Sequence, residues 1–272
     1  MNVLKDLSYG PHGERNRLDL YLPDSVGRQR PLVVCIHGGG WSGGSKDAYA
    51  WMGERLTGLD LAAASITYRF WPQWRCPAAI EDVHRAVRWL RKNAVHYGLD
   101  AEHVGAIGGS AGAHLASCLP LMPPPPDPDL PLDLAGVPSR VSCVVDCYGP
   151  VDFVAMMTSA SAPIIEGFMG ASLSPETEAA YRAASPFYFV KPTPPPFLIA
   201  HGTEDVGILK GQVPLTISER FAEKLRAAGG EVTLLPLEGA EHGFSGQPDS
   251  PHTQAMWAAA VPFFRKHLHH SA

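Results

Sequence analysis

The pentapeptide Gly108-Gly109-Ser110-Ala111-Gly112 directly follows the apolar run Val104-Gly105-Ala106-Ile107. Few folds accept that order. A strand that ends in a sharp elbow, with a serine at its tip and a helix behind it, leaves no room for side chains two residues to either side of the serine. The pattern therefore asks for a strand, a tight turn and a helix from Ala111 to about Leu119. The N-terminal amides of that helix would face whatever reacts at Ser110. Ser110 is the candidate nucleophile.

A second glycine-rich string sharpens the reading. His37-Gly38-Gly39-Gly40-Trp41 follows the strand-like Leu32-Val33-Val34-Cys35-Ile36, about seventy residues upstream of the elbow. Successive glycines bring backbone amides close to a substrate carbonyl, where a developing oxyanion needs donors. Gly39, Gly40 and Ala111 are the expected oxyanion-hole amides, since such a hole pairs this loop with the residue after the nucleophile.

The acid and the base should then follow in that order. Asp205 comes after the strand-like Phe197-Leu198-Ile199-Ala200, within His201-Gly202-Thr203-Glu204-Asp205. His242 comes after the strand-like Val232-Thr233-Leu234-Leu235-Pro236-Leu237, within Glu241-His242-Gly243-Phe244. Both fall at the carboxyl ends of strands, the edge where open α/β sheets gather their sites. Glu204 and Asp152 are rivals for the acid, Asp152 being better suited to a structural cap or anchor. Among the 12 histidines, His114 reads as a packed helix residue. His37 and His201 read as organisers of their own loops, and His267, His269 and His270 as a polar terminus.

These residues resemble the α/β-hydrolase carboxylesterases of the hormone-sensitive-lipase-like group, and within it the bifunctional feruloyl and acetyl-xylan esterases. Further matching stretches are Leu18-Asp19-Leu20-Tyr21-Leu22-Pro23, Tyr68-Arg69-Phe70, Pro77-Ala78-Ala79-Ile80-Glu81-Asp82 and Ala184-Ser185-Pro186. The resemblance runs from about residue 5 to about 268. It implies a mostly parallel central sheet of about eight strands flanked by helices. It also implies a serine hydrolase of short- to medium-chain, acetyl or aromatic esters, including carbohydrate-linked ones. Two departures stand out. Val213-Pro214 follow Asp205 at eight and nine residues rather than three or four, so Val206 to Gln212 reads as a short insertion. Cys76 stands where the family often has an aromatic.

The resemblance also implies a small helical insertion over the site, at about 153–188 of a single domain spanning 1–272. Met156, Met157, Ile164, Ile165, Phe168 and Met169 fall within it. Trp41, Phe70, Trp71, Ile165, Phe168 and Met169 are the expected pocket wall, the alternative for each being ordinary packing.

The rest of the chain agrees. Hydrophobic residues make up 45% and charged residues 18% of 272 positions, enough to bury a sizeable core. Strand-like and helical patterns alternate, as in a parallel sheet covered on both faces. Ile80, Val83, Val87 and Leu90 mark one stripe of a helix within 78–97. Further helices are expected over 218–228 and 252–268, the last bent or split by Pro262. A net charge of −5 offers no field for nucleic acid. No apolar run approaches the length of a membrane span. Met1 to Asp6 lacks the apolar core of a signal peptide, so the expected location is cytoplasmic. Five cysteines without metal-like spacing read as reduced thiols, with no metal site. Cys143 and Cys147, four apart in a strand at about 3.3 Å per residue, are too distant to bridge. No cofactor is expected. The expected partner is a small-molecule ester, and the chain is a monomer or a homodimer through an edge strand near 231–237. Two further readings stay open, an arylformamidase-like amidase and a non-catalytic ligand-binding member of the same fold.

Overall fold

A computed structural model describes residues 1–24, 28–205 and 213–268. The Val206–Gln212 insertion lies outside the described residues. Eight strands form one sheet: β1 (Asn2–Ser8), β2 (Arg17–Leu22), β3 (Arg30–Ile36), β4 (Ala62–Ile66), β5 (Leu99–Gly109), β6 (Cys143–Cys147), β7 (Phe197–Gly202) and β8 (Val232–Leu237). Their spatial order is β1-β2-β4-β3-β5-β6-β7-β8. Only β2 runs against the others, pairing antiparallel with β1 and β4, while β4 through β8 are joined by parallel ladders.

The helices are α1 (Ala50–Thr57), α2 (Ala78–Lys92), α3 (Ala94–Tyr97), α4 (Ala111–Leu121), α5 (Phe153–Met156), α6 (Ala162–Met169), α7 (Glu178–Ala183), α8 (Leu215–Ala227) and α9 (Pro251–Leu268). Strand alternation sorts them into two layers. Leu32, Val34 and Ile36 of β3 share one core with Val83 and Val87 of α2, Leu115 of α4 and Phe221 of α8. Val33 and Cys35, on the other side of the same strand, pack with Met52 and Leu56 of α1 and with Met256 and Phe264 of α9. The central strands are buried on both faces, which is why they read as unbroken apolar runs.

Three boundaries differ from the sequence reading. The helix expected over 78–97 divides at Asn93 into α2 and α3, and Gly98 then ends α3 with φ +67°. α8 begins at Leu215, directly after Pro214, three residues before the expected start. α9 continues through Pro262 as one helix, because its buried face (Met256, Ala260, Phe264, Leu268) is anchored on both sides of the proline. Between β6 and β7 the alternation is interrupted by α5, α6, α7 and a 3-10 turn at Pro186–Phe189. Ser185 ties this excursion together: its Oγ accepts from Phe153 N at 2.9 Å and donates to Tyr181 O at 2.7 Å. β8 is an edge of the sheet.

Candidate active site

The carboxyl ends of the parallel strands bring three distant stretches together. β5 ends at Gly109, and Ser110 turns with φ +53° and ψ −122° before α4 begins. A non-glycine residue rarely holds a positive φ, so this conformation is maintained by its surroundings. The Ser110 amide donates to Cys147 O of β6 at 2.9 Å, and His114 N donates to Ser110 O at 3.1 Å. Close packing explains the flanking glycine: a Cβ on Gly112 would overlap the carbonyl oxygen of Ile36.

Ser110 Oγ lies 2.9 Å from His242 Nε2, and His242 Nδ1 lies 2.7 Å from Asp205 Oδ2. The second carboxylate oxygen of Asp205 accepts from Val213 N at 3.2 Å. Asp205 is 1% exposed. Burial alone raises its carboxyl, but hydrogen bonds from His201 and His242 outweigh that and hold it below the usual range. His201 Nε2 approaches Asp205 Oδ2 at 3.3 Å and Val213 O at 2.8 Å, while its Nδ1 meets Ser218 Oγ at 2.7 Å. One imidazole thus joins the acid, the chain at Val213 and the first turns of α8.

The rival residues have other duties. Asp152 caps α5 by accepting from Ala155 N, and it also accepts from Tyr188 Oη at 2.9 Å. His114 donates from Nε2 to the Ala184 carbonyl at 2.8 Å and stacks on Phe153. His37 bonds Gly38 O through Nδ1 at 2.7 Å, and burial lowers its pKa to about 4.

Gly39, Gly40 and Trp41 have φ values of +115°, +57° and +54°, so the loop after β3 turns through three successive left-handed residues. The Gly39 carbonyl accepts from Ser42 N and Gly43 N. Among the described residues, the amides of Gly39, Gly40 and Ala111 have no acceptor within the chain. Gly39 and Gly40 line a cavity of about 480 Å³ that also contains Ser110 and His242.

Of the expected wall, Trp41 and Ile165 line that cavity, together with Ile164, Pro150, Val213 and Ser161. Phe70, Trp71, Phe168 and Met169 do not. Phe168 is fully buried behind Trp41, stacked on it at 4.6 Å and 14°. Phe70 packs edge-on to Tyr68 and His37, with the Arg15 guanidinium over its ring. Met169 packs against the core. Trp71 turns its indole toward the Gly40 carbonyl.

Sequence reasoning missed the opposite wall. Tyr49 and Tyr148 line the cavity and converge on the buried Ser245, whose Oγ lies 3.0 Å from Tyr49 Oη and in a short hydrogen bond with Tyr148 Oη. Tyr148 also packs edge-on against His242 at 4.8 Å. The only available signal was position: Tyr148 follows β6 as Ser110 follows β5. No Asp, Glu, Lys or Arg is among the cavity's described lining residues. Among the described residues there is also no cluster of His, Cys, Asp or Glu able to hold a metal ion, and no helix long and apolar enough to cross a membrane.

Comparison with known proteins gives this geometry a context. Residues 18–225 match the model of the BD-FAE family. Esterase LipQ of Mycobacterium tuberculosis is 35% identical over 246 residues, 88% of this chain and 56% of LipQ. The chain spans little more than half the length of the curated relatives it matches. A truncated carbohydrate esterase from gut microbiota superposes with a TM-score of 0.83 at 26% identity, covering 98% of this chain and 96% of that one. Esterase 2 of Thermogutta terrifontis, in a form phosphonylated by sarin, superposes with a TM-score of 0.82 at 25% identity, covering 96% and 94%. The eight-stranded sheet is thus an α/β-hydrolase fold, and the chain belongs to the BD-FAE family.

Proposed function

We propose that the chain is a serine carboxylesterase that works through an acyl-enzyme. The observation that carries this reading is the unbroken hydrogen-bonded line from Ser110 Oγ through His242 to Asp205, at 2.9 and 2.7 Å. His242 Nε2 takes the Ser110 proton as Oγ attacks the ester carbonyl, then returns it to the departing alcohol. Asp205 accepts from Nδ1, which fixes the tautomer and stabilises the imidazolium. The amides of Gly39, Gly40 and Ala111 receive the oxyanion, a role in which each donor contributes about 10²–10³ in rate. Water, activated by the same His242, then releases the acid. This chemistry needs no cofactor.

The described lining of the cavity holds no Asp, Glu, Lys or Arg, which supports neutral esters, and the volume of about 480 Å³ supports short to medium acyl groups. Acetyl and aromatic acyl groups on carbohydrate follow from the relatives rather than from any contact here. The five cysteines are free in the fold, which supports a reducing, cytoplasmic setting. The test is hydrolysis of p-nitrophenyl esters from acetate to decanoate, followed by acetylated and feruloylated sugars. Activity concentrated at butyrate and below is expected. Turnover of an aryl formamide in place of every ester would overturn the esterase reading, and absence of any turnover would favour a binding protein.

A further inference from the structure

Trp71 stands next to the glycine loop without lining the cavity. Its indole Nε1 donates to the Gly40 carbonyl at 2.8 Å, and its backbone N–H donates to the Trp41 carbonyl at 3.0 Å. Those are successive carbonyls of the left-handed turn at Gly39, Gly40 and Trp41. The preceding carbonyl, Gly39, is held by Ser42 and Gly43. A trans peptide is planar, with its C=O and N–H pointing in opposite directions. The Gly40 amide shares its plane with the Gly39 carbonyl, held by Ser42 and Gly43, and the indole holds the next plane, Gly40 C=O with Trp41 N–H, so Gly40 is fixed on both sides of its Cα.

The indole is itself braced. A Cβ on Gly167 of α6 would lie 2.7 Å from Trp71 Cη2, so the helix backbone rests directly on the ring. One turn earlier on the same face, Ile164 sits against Gly40, where a Cβ would lie 2.9 Å from Ile164 Cγ2. The same helix thus presses on the loop and on the side chain that holds it.

We propose that Trp71 is a positioning residue for the oxyanion loop, its indole N–H holding the Gly40 carbonyl and so limiting rotation about the Cα that carries the Gly40 amide, with Gly167 keeping the ring in register. The proposal rests on the serine esterase reading. A group that aims an oxyanion donor is felt in the transition state more than in substrate binding, so its loss lowers kcat and leaves KM nearly unchanged. A wall residue would move KM, and a packing residue would move stability.

Trp71→Phe keeps an aromatic ring under Gly167 and removes the donor. L-3-benzothienylalanine placed at position 71 alone replaces the N–H by sulfur in an almost identical outline, and serves if the phenylalanine variant fails to fold. Both are assayed for kcat and KM on p-nitrophenyl butyrate, for inhibition by an alkyl trifluoromethyl ketone, and for melting temperature. The ketone adds Ser110 Oγ at its carbonyl carbon, and the resulting oxyanion occupies the hole. The expected result is a fall in kcat of about tenfold to a hundredfold, less than loss of a whole donor. KM should stay within about twofold, and ketone affinity should fall by the same factor as kcat/KM. Unchanged kcat, a rise in KM alone, or a loss of kcat with undiminished ketone affinity would each overturn the proposal. A parent protein that hydrolyses no ester would instead overturn the reading beneath it.

Discussion

Three buried histidines make the fold sensitive to mild acid, and His84 gives the cleanest test. Burial lowers His84 to about 3, and His37 and His114 to about 4, from an ordinary value of 6.5. The sign follows from where the protons go. Below pH 6.5 the unfolded chain protonates these imidazoles while the folded chain does not, so stability falls as pH drops toward the folded values. Between pH 7 and pH 5.5 each such histidine removes about 1 kcal/mol, and three remove about 3–4 kcal/mol, a large part of the 5–15 kcal/mol typical of a domain. Asp146 and Glu81, whose carboxyls burial raises, act in the opposite direction, so the parent's total slope mixes signs. A double difference isolates one group. His84 bonds Ser139 Oγ through Nδ1 at 2.8 Å, in an element that carries none of the site residues. Urea unfolding of the parent and of His84→Gln at pH 7 and pH 5.5 should show the variant losing about 1 kcal/mol less than the parent across that interval. Equal losses, or a greater loss in the variant, would refute the neutral buried imidazole.

Asp205→Asn should lower kcat by about 10⁴ with little change in KM, as the equivalent change does in a serine protease; steady-state kinetics decides it. Because the Asp205 carboxyl is held below its usual value of 3.8, its contribution to stability is present above that pH. Its melting-temperature advantage over Asn should vanish as pH falls through the lowered folded value. Phe168→Ala removes the ring on which Trp41 stacks, and should cost about 3–5 kcal/mol in denaturant titrations. Ile165→Val adds the room of one methylene to the cavity, which should improve kcat/KM for an ester one carbon longer by about fourfold relative to its shorter neighbour.

Much of the site was legible in the sequence because strands and glycines mark it locally. Each of Ser110, Asp205 and His242 follows an apolar run that forms a parallel strand, and a parallel sheet puts all such ends on one edge. Gly39 and Gly40 announced a turn that needs positive φ. What stayed hidden depends on contacts between distant residues. Phe168 and Met169 have the composition of a pocket wall, yet an apolar side chain in a short insertion serves equally to anchor it, and burial behind Trp41 is a tertiary outcome. Trp71 was expected as part of the pocket wall. Its hydrogen bond to Gly40 could not be read from a position 31 residues away. The Tyr49, Tyr148 and Ser245 hydroxyl cluster joins three segments with no shared motif. The division at Asn93 was missed because the apolar stripe ends at Leu90, whereas the helical composition runs on.

The most direct test of the account is labelling with a fluorophosphonate, read by intact-mass and peptide mass spectrometry beside the rate of ester hydrolysis. The account predicts one adduct per chain, located on the peptide that carries Ser110, with activity lost in proportion to labelling and no adduct in Ser110→Ala. Ester hydrolysis that persists in the fully labelled protein or in Ser110→Ala would contradict it.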